Sequence, residues 1–227
     1  MKNAQSISVF DIIGPIMVGP SSSHTAGAVR LGRLGLAMFG QKPQKALIEL
    51  HGSFAETGRG HGTDKALVAG LLGLETDDPG IRESFDLAKQ QGLDFEFAEV
   101  DLGEDAHPNS VRVTLTAGNE TFVFIGCSTG GGMIEITNIE GYPVNLSGEY
   151  DTLLVISEDQ PGTINAITGW LLNKKINVAF LKVGRNQRGG EAIMIIETDQ
   201  RIPDYLVEFV SVFPWVKTVR NIPRLQE

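Results

Sequence analysis

The last third of the chain constrains the fold most tightly, because its apolar runs and turns follow one another in an order that names a topology. Residues 152–157 form an apolar run of strand composition, and Glu158-Asp159-Gln160-Pro161-Gly162 is a turn opening onto a helix in which Ile164, Ile167 and Leu171 recur at helical spacing. Residues 176–183 and 192–197 follow as strands around a polar hairpin loop, 184–190. Pro203 starts a second helix, since a proline at the first helical position gives up no needed N–H, and Leu206, Phe209 and Val210 turn inward. Residues 216–222 read as a closing strand. Strand, helix, strand, strand, helix, strand is the ferredoxin-like βαββαβ unit. That unit is common, so it says little about function.

The preceding residues have a different texture. Gly141-Tyr142-Pro143-Val144-Asn145-Leu146-Ser147-Gly148 collects turn formers and reads as a turn or short linker, dividing the chain into 1–147 and 148–227. The first part predicts helices at 26–39, 65–74 and 81–91, with Asp64 capping the second. Strands are predicted at 46–51, 95–101, 110–117, 121–127 and 133–138, with a hairpin at Ala117-Gly118-Asn119 and a wide turn at Gly130-Gly131-Gly132. Gly27, Gly32 and Gly35 would each weaken an isolated helix by about 1 kcal/mol relative to Ala, so their presence suggests close packing against another backbone. The expected class is α+β: a mixed α+β domain followed by the βαββαβ domain.

Composition removes several classes of function. The 227 residues carry a net charge of −9, which argues against a nucleic-acid binder. No apolar run reaches the roughly 18 residues of a membrane span, and residues 1–8 lack the apolar core of a signal peptide, so a cytoplasmic location is the default expectation. The single cysteine, Cys127, cannot form an internal disulfide or by itself hold an iron–sulfur cluster, which needs about three or four thiolates. At the end of an apolar run it reads as a buried core residue.

Two segments carry chemistry. Ser21-Ser22-Ser23-His24-Thr25 places hydroxyls at a helix start, where they can cap free N–H groups or, with the helix dipole, hold a carboxylate. Three serines exceed what a cap requires. Thr57-Gly58-Arg59-Gly60-His61-Gly62-Thr63-Asp64 combines glycines that let a backbone approach a ligand, a histidine able to act as a base near neutral pH, an arginine suited to a carboxylate and an aspartate that can cap a helix or orient a histidine. It also reads as a plain glycine-rich turn with an exposed histidine, and it is not a GxxxxGK[ST] loop. His51 either lines the same pocket or is a half-buried strand residue, and His107-Pro108-Asn109 reads as a turn. The four histidines lack the close pairing of a zinc site. Gly162, at the helix start of the second part, gives a small ligand's carboxylate access to backbone N–H groups.

Residues 8–25, reading SVFDIIGPIMVGPSSSHT, strongly resemble the start of the beta chain of iron–sulfur-dependent L-serine dehydratases, and residues 52–64, GSFAETGRGHGTD, resemble that family's second motif. Residues 150–227 look like an ACT domain, with Asp159-Gln160-Pro161-Gly162 as its signature turn. The resemblance implies a lyase subunit that converts L-serine to pyruvate and ammonia, feeding gluconeogenesis or serine catabolism, and that is active only as a heterodimer with an alpha subunit. That alpha chain would carry most ligands of a [4Fe-4S] cluster, one iron acting as Lewis acid on the substrate hydroxyl. No metal ligand is assigned to the present chain, and no pyridoxal phosphate is implied. By match to the motifs, His61 is the proton-abstracting base. Ser22, Ser23, His24, Thr57, Gly58 and Gly60 form the substrate-binding set, and Asp159, Pro161 and Gly162 the allosteric one for a small amino acid. The first domain also resembles the allosteric substrate-binding domain of some phosphoglycerate dehydrogenases.

Two rival readings use the same residues. A stand-alone amino-acid sensor would need the ACT-like half but not His61. A metal-dependent hydrolase would use His24, His51 and His61 together. The open edges of a single βαββαβ sheet predict a homodimer of the isolated chain.

Overall fold

The computed structural model describes residues 16–225. Residues 8–15 of the first motif, and the side chain of Arg59, lie outside the described set. The architecture is α+β, built on two sheets. In the first sheet β1 (Lys45–His51) is followed by three helices, α2 (Ser53–His61), α3 (Thr63–Leu71) and α4 (Ser84–Gln91), and then by β2 (Asp94–Glu99). These two strands pair in parallel. An antiparallel meander of β3 (Ser110–Ala117), β4 (Glu120–Gly130), β5 (Met133–Ile139) and β6 (Tyr142–Leu146) completes the order β2-β1-β3-β4-β5-β6. Helix α1 (Gly27–Phe39) precedes β1 and is entered through a π-helical turn, Ser22–Ala26.

The second sheet has the order β10-β7-β9-β8, from β7 (Asp151–Glu158), β8 (Val178–Arg185), β9 (Glu191–Thr198) and β10 (Val216–Ile222). Helices α5 (Thr163–Asn173) and α6 (Asp204–Ser211) cover one face. The βαββαβ order read from the sequence is the order found. Leu153, Val155, Met194 and Ile196 face these helices, while Leu154, Ile156, Ile193 and Ile195 on the opposite face join the core around α1. Both faces of β7 are therefore buried, which explains its unbroken apolar run.

Helix α1 lies between the sheets and is buried on most sides, including Leu31, Leu34, Met38 and Phe39. Its glycines answer to this packing. A methyl on Gly32 would stand 2.5 Å from the Leu67 carbonyl oxygen, and one on Gly70 of α3 would stand 2.1 Å from that of Val29. The two helices meet backbone to backbone, as the sequence suggested. At the far end of α1, Arg220 of β10 donates to the Phe39 carbonyl at 3.2 Å and pairs with Glu120 at 3.0 Å.

Several local expectations need correction. The proposed turn or linker at 141–148 contains β6, an edge strand in which Tyr142, Val144 and Leu146 point inward between exposed Pro143 and Asn145. Proline is tolerated there because it sits on a sheet edge. The wide turn at Gly130-Gly131-Gly132 is tight: Gly130 pairs with Met133, and all three glycines have positive φ. The helix expected at 81–91 is divided into a 3₁₀ segment, Pro79–Glu83, capped by Asp78, and α4. Pro203 stands one residue before its helix, in extended conformation. Ile164 is 43% exposed, so only Ile167 and Leu171 of that trio are core residues.

Candidate functional site

The site forms where the π turn ahead of α1 meets the face of α2. Gly52 makes the corner out of β1 with φ 56° and ψ −127°, and a methyl there would lie 2.7 Å from the Pro108 carbonyl oxygen. The chain then turns directly into α2, where the glycine-rich segment was expected to be a loop. Helical spacing puts Ser53, Thr57 and His61 on one face. Gly58 is buried against Thr63, which allows α2 and α3 to fold back on each other, and Gly62, at φ 73°, ends one helix and starts the next.

Ser21 caps the π turn by accepting the His24 N–H at 3.1 Å. The expected cap is thus present, and the Ser23 hydroxyl serves the histidine. Ser23 Oγ lies 3.2 Å from His24 Nδ1 and 3.3 Å from Ser21 Oγ. On the other side of the ring, His24 Nε2 lies 3.1 Å from Thr57 Oγ1 and 3.3 Å from Ser53 Oγ. Thr57 Oγ1 also donates to the Ser53 carbonyl at 2.8 Å. The His61 ring sits 5.0 Å from that of His24, centroid to centroid, with its Nδ1 3.2 Å from the Thr57 carbonyl oxygen. Thr25 Oγ1 donates to the His61 carbonyl at 3.4 Å, tying the π turn to the end of α2. π-helical turns recur at functional sites, and this one joins the first motif to the second.

Burial, and next the neighbouring His61, hold His24 below the ordinary imidazole value. That shift favours the neutral ring. His61 and Thr25, with Gly19, Pro20, Gly60, Gly62, Asp64, Lys65 and Arg82, line a cavity of about 530 Å³. Ser22 makes no side-chain hydrogen bond among the described residues and is not part of the cavity lining. No described residue comes within 4 Å of a methyl placed on Gly60, whereas Gly58 is buried. Asp64 does not orient His61; its Oδ1 accepts the Lys65 N–H within the first turn of α3, and Gly62 is the cap residue.

His51 lies outside this cluster. Its Nδ1 is 3.2 Å from both the Leu102 N–H and the Val100 carbonyl, fastening the segment after β2. His107 accepts the Asn109 N–H in its turn. Among the described residues no group of histidine, cysteine, aspartate and glutamate is arranged to hold a metal ion. Cys127 is buried, and burial, then Glu135, push its thiol up to about 11. A [4Fe-4S] cluster needs several thiolates, so these residues do not fit one. Ser53 was missed as part of the site. The signal for it is the four-residue step Ser53–Thr57–His61, visible only once the segment is read as helix.

In the second unit Asp159 is engaged internally. Its Oδ2 accepts the Gly189 N–H at 3.0 Å and pairs with Arg185 at 3.0 Å, contacts that hold its carboxyl below the usual range. Asp159 lines an open cavity of about 640 Å³ between the turn and the β8–β9 loop. Pro161 and Gly162 are exposed beside it, and Gly162 begins α5 at φ 94°. Among the described residues no helix is long and apolar enough to cross a membrane.

A histidine pair cushioned by hydroxyls, on a sheet unit fused to a βαββαβ unit, defines a two-part α+β chain. The chain belongs to the serine dehydratase beta chain family, which residues 8–138 match. It is 42% identical over 215 residues to the probable L-serine dehydratase beta chain of Bacillus subtilis, covering 95% of this chain and 97% of that one. It is 41% identical over 201 residues to the L-serine dehydratase beta chain of Peptoniphilus asaccharolyticus, covering 88% and 90%. Among solved structures, the ACT domain of the Chlorobium tepidum GTP pyrophosphokinase aligns with 31% of this chain and 94% of its own length, at 19% identity and a TM-score of 0.27.

Proposed function

We propose that the chain is the beta subunit of a [4Fe-4S]-dependent L-serine ammonia-lyase, with the cluster on a partner alpha subunit and no pyridoxal phosphate. The observation that carries this reading is the meeting of His61, which lines the cavity, with His24 and the hydroxyls of Ser23, Ser53 and Thr57 that surround the His24 ring. In the reaction L-serine loses its α-proton and its hydroxyl as water. The resulting enamine tautomerises to an imine and takes up water, releasing ammonia and pyruvate. His61 takes the α-proton. Ser22 and the exposed backbone at Gly60 receive the substrate carboxylate, and Ser23 and Thr57 act on His24. Residues 1–147 supply this site, and residues 148–227 form an ACT-type domain in which Asp159, Pro161 and Gly162 receive a small amino acid. Strand β8 is an exposed edge carrying Phe180, Leu181 and Val183, which supports a homodimer of the isolated chain. These features suit a cytoplasmic enzyme of serine catabolism.

The test is anaerobic co-expression with a cluster-bearing alpha chain, followed by an assay of pyruvate from L-serine. Activity is expected only in the mixture. His61→Ala should lower kcat by about 100-fold or more while the complex still assembles. An assembled complex with an intact cluster and no turnover would support the amino-acid sensor instead.

A further inference from the structure

The Thr57 hydroxyl has three partners within reach, and the shortest contact, to the Ser53 carbonyl, decides where its proton goes; Ser53 Oγ, at 3.4 Å, is the most distant of the three. The single hydroxyl proton goes to the Ser53 carbonyl, 2.8 Å away, an atom that can only accept. The same oxygen lies 3.1 Å from His24 Nε2, so towards the histidine it must accept. His24 Nε2 therefore carries the ring proton, shared with Ser53 Oγ at 3.3 Å. In a neutral ring Nδ1 is then a lone pair, and Ser23 Oγ, itself within reach of the Ser21 hydroxyl, donates to it. The backbone of Thr57 imposes the opposite choice on the second histidine. Its carbonyl oxygen accepts only, so His61 Nδ1 carries the proton, leaving Nε2 as the lone pair.

We infer that Thr57 is a positioning residue that fixes His24 and His61 in opposite tautomers, the first saturated at both nitrogens and the second with Nε2 free to accept a proton. The Thr57 side chain sets His24, and the Thr57 carbonyl sets His61. This extends the dehydratase reading, on which its catalytic consequence rests: the two histidines differ in role because one has no unused nitrogen. It also reassigns Thr57, since its hydroxyl has no proton left for a substrate. A histidine's free nitrogen is decided by the partner of its other nitrogen. Here one residue supplies that partner for both rings.

The tautomers can be read directly in the full-length chain, without turnover. Histidine-selective ¹⁵N labelling gives four ring systems. His24→Gln and His61→Gln variants assign the two of interest, and His107, which accepts a backbone N–H at Nδ1, serves as an Nε2–H reference. At about pH 8, where free imidazoles are neutral, long-range ¹H–¹⁵N spectra should show His24 with the His107 pattern and His61 with the reverse one, which an isolated imidazole disfavours. Thr57→Val should disturb His24 alone, because the carbonyl at His61 remains, and Thr57→Ser should restore the wild-type pattern. In the reconstituted complex Thr57→Val should lower kcat by about 10-fold or more, with a smaller change in KM, and Thr57→Ser should recover most of it. An Nε2–H His61 in the wild-type spectrum overturns the inference without any variant. So does a His24 signal indifferent to Thr57→Val in a variant whose circular dichroism is native. If the tautomers are as stated but the complex does not deaminate serine, the assignment stands and the dehydratase reading fails.

Discussion

The two units each turn from a strand into a helix through a glycine of positive φ, and the two corners are built differently. At Gly52 the backbone is pressed against Pro108, with 2.7 Å between the position of a methyl and the Pro108 carbonyl oxygen. At Gly162 no described residue comes within 4 Å of that position. Packing fixes the first corner, and it aims Ser53, Thr57 and His61 at His24. The second is held by polar contacts around Asp159, which a charged ligand or salt can replace. A site whose histidines need defined hydrogen-bond partners calls for the first kind of support.

Substitution at the two glycines measures that difference. Gly52→Ala meets both a forbidden backbone region and a backbone clash, and should cost about 3 kcal/mol or more in urea unfolding. Gly162→Ala meets only the backbone penalty and should cost about 1–2 kcal/mol. Equal costs would mean that Pro108 yields and that the first corner is not packed as described.

A second pair sharpens the contrast within helices. Gly70 of α3 faces the Val29 carbonyl, so Gly70→Ala should overpack the α1–α3 contact and cost about 1–3 kcal/mol. Gly169 of α5 has no described residue within 4 Å of its methyl position, so Gly169→Ala should instead stabilise by about 0.5–1 kcal/mol. A rise in stability at Gly70 would show that the helices have room between them, and would remove the reason for glycine in α1.

The same contrast explains what could be read from the sequence. The second unit was legible in order because its strands are apolar runs separated by conventional turns. The first was harder because packing decides its glycines. Gly58, Gly60 and Gly62 have poor helix propensity, yet α2 forms because burial of Gly58 and Phe54 and the left-handed ending at Gly62 favour it. In β6 the alternation of Tyr142, Val144 and Leu146 was present but outweighed by neighbouring Gly, Pro, Asn and Ser. The histidine and serine motifs were recognisable as types. Their joining through Ser53 and Thr57 was not, because it depends on a helix that local composition hides.

The smallest expected effect is in pH dependence, where the two sites should act in separate windows. Unfolded His24 takes up a proton around 6.5, whereas in the fold burial, then His61, postpones protonation to lower pH. In that interval the unfolded state binds more protons, so the His24 contribution to stability is full above the unfolded value and lost as pH falls through the folded one. Asp159, depressed from 3.8 by the Gly189 N–H and then by Arg185, loses its contribution only in far more acid solution. Glu197 runs the other way: raised from 4.5 by burial, then by Glu149, it contributes below that value and loses the contribution as pH rises through the folded one. The informative quantity is therefore the difference in urea midpoint between wild type and His24→Gln, followed downward from about pH 8. That difference should shrink below about pH 6.5, and the same comparison with Asp159→Asn should stay flat there. A His24→Gln difference that ignores pH in this range would mean that the His24 ring titrates as freely as in the unfolded chain, and that the hydroxyls around it do not enclose it.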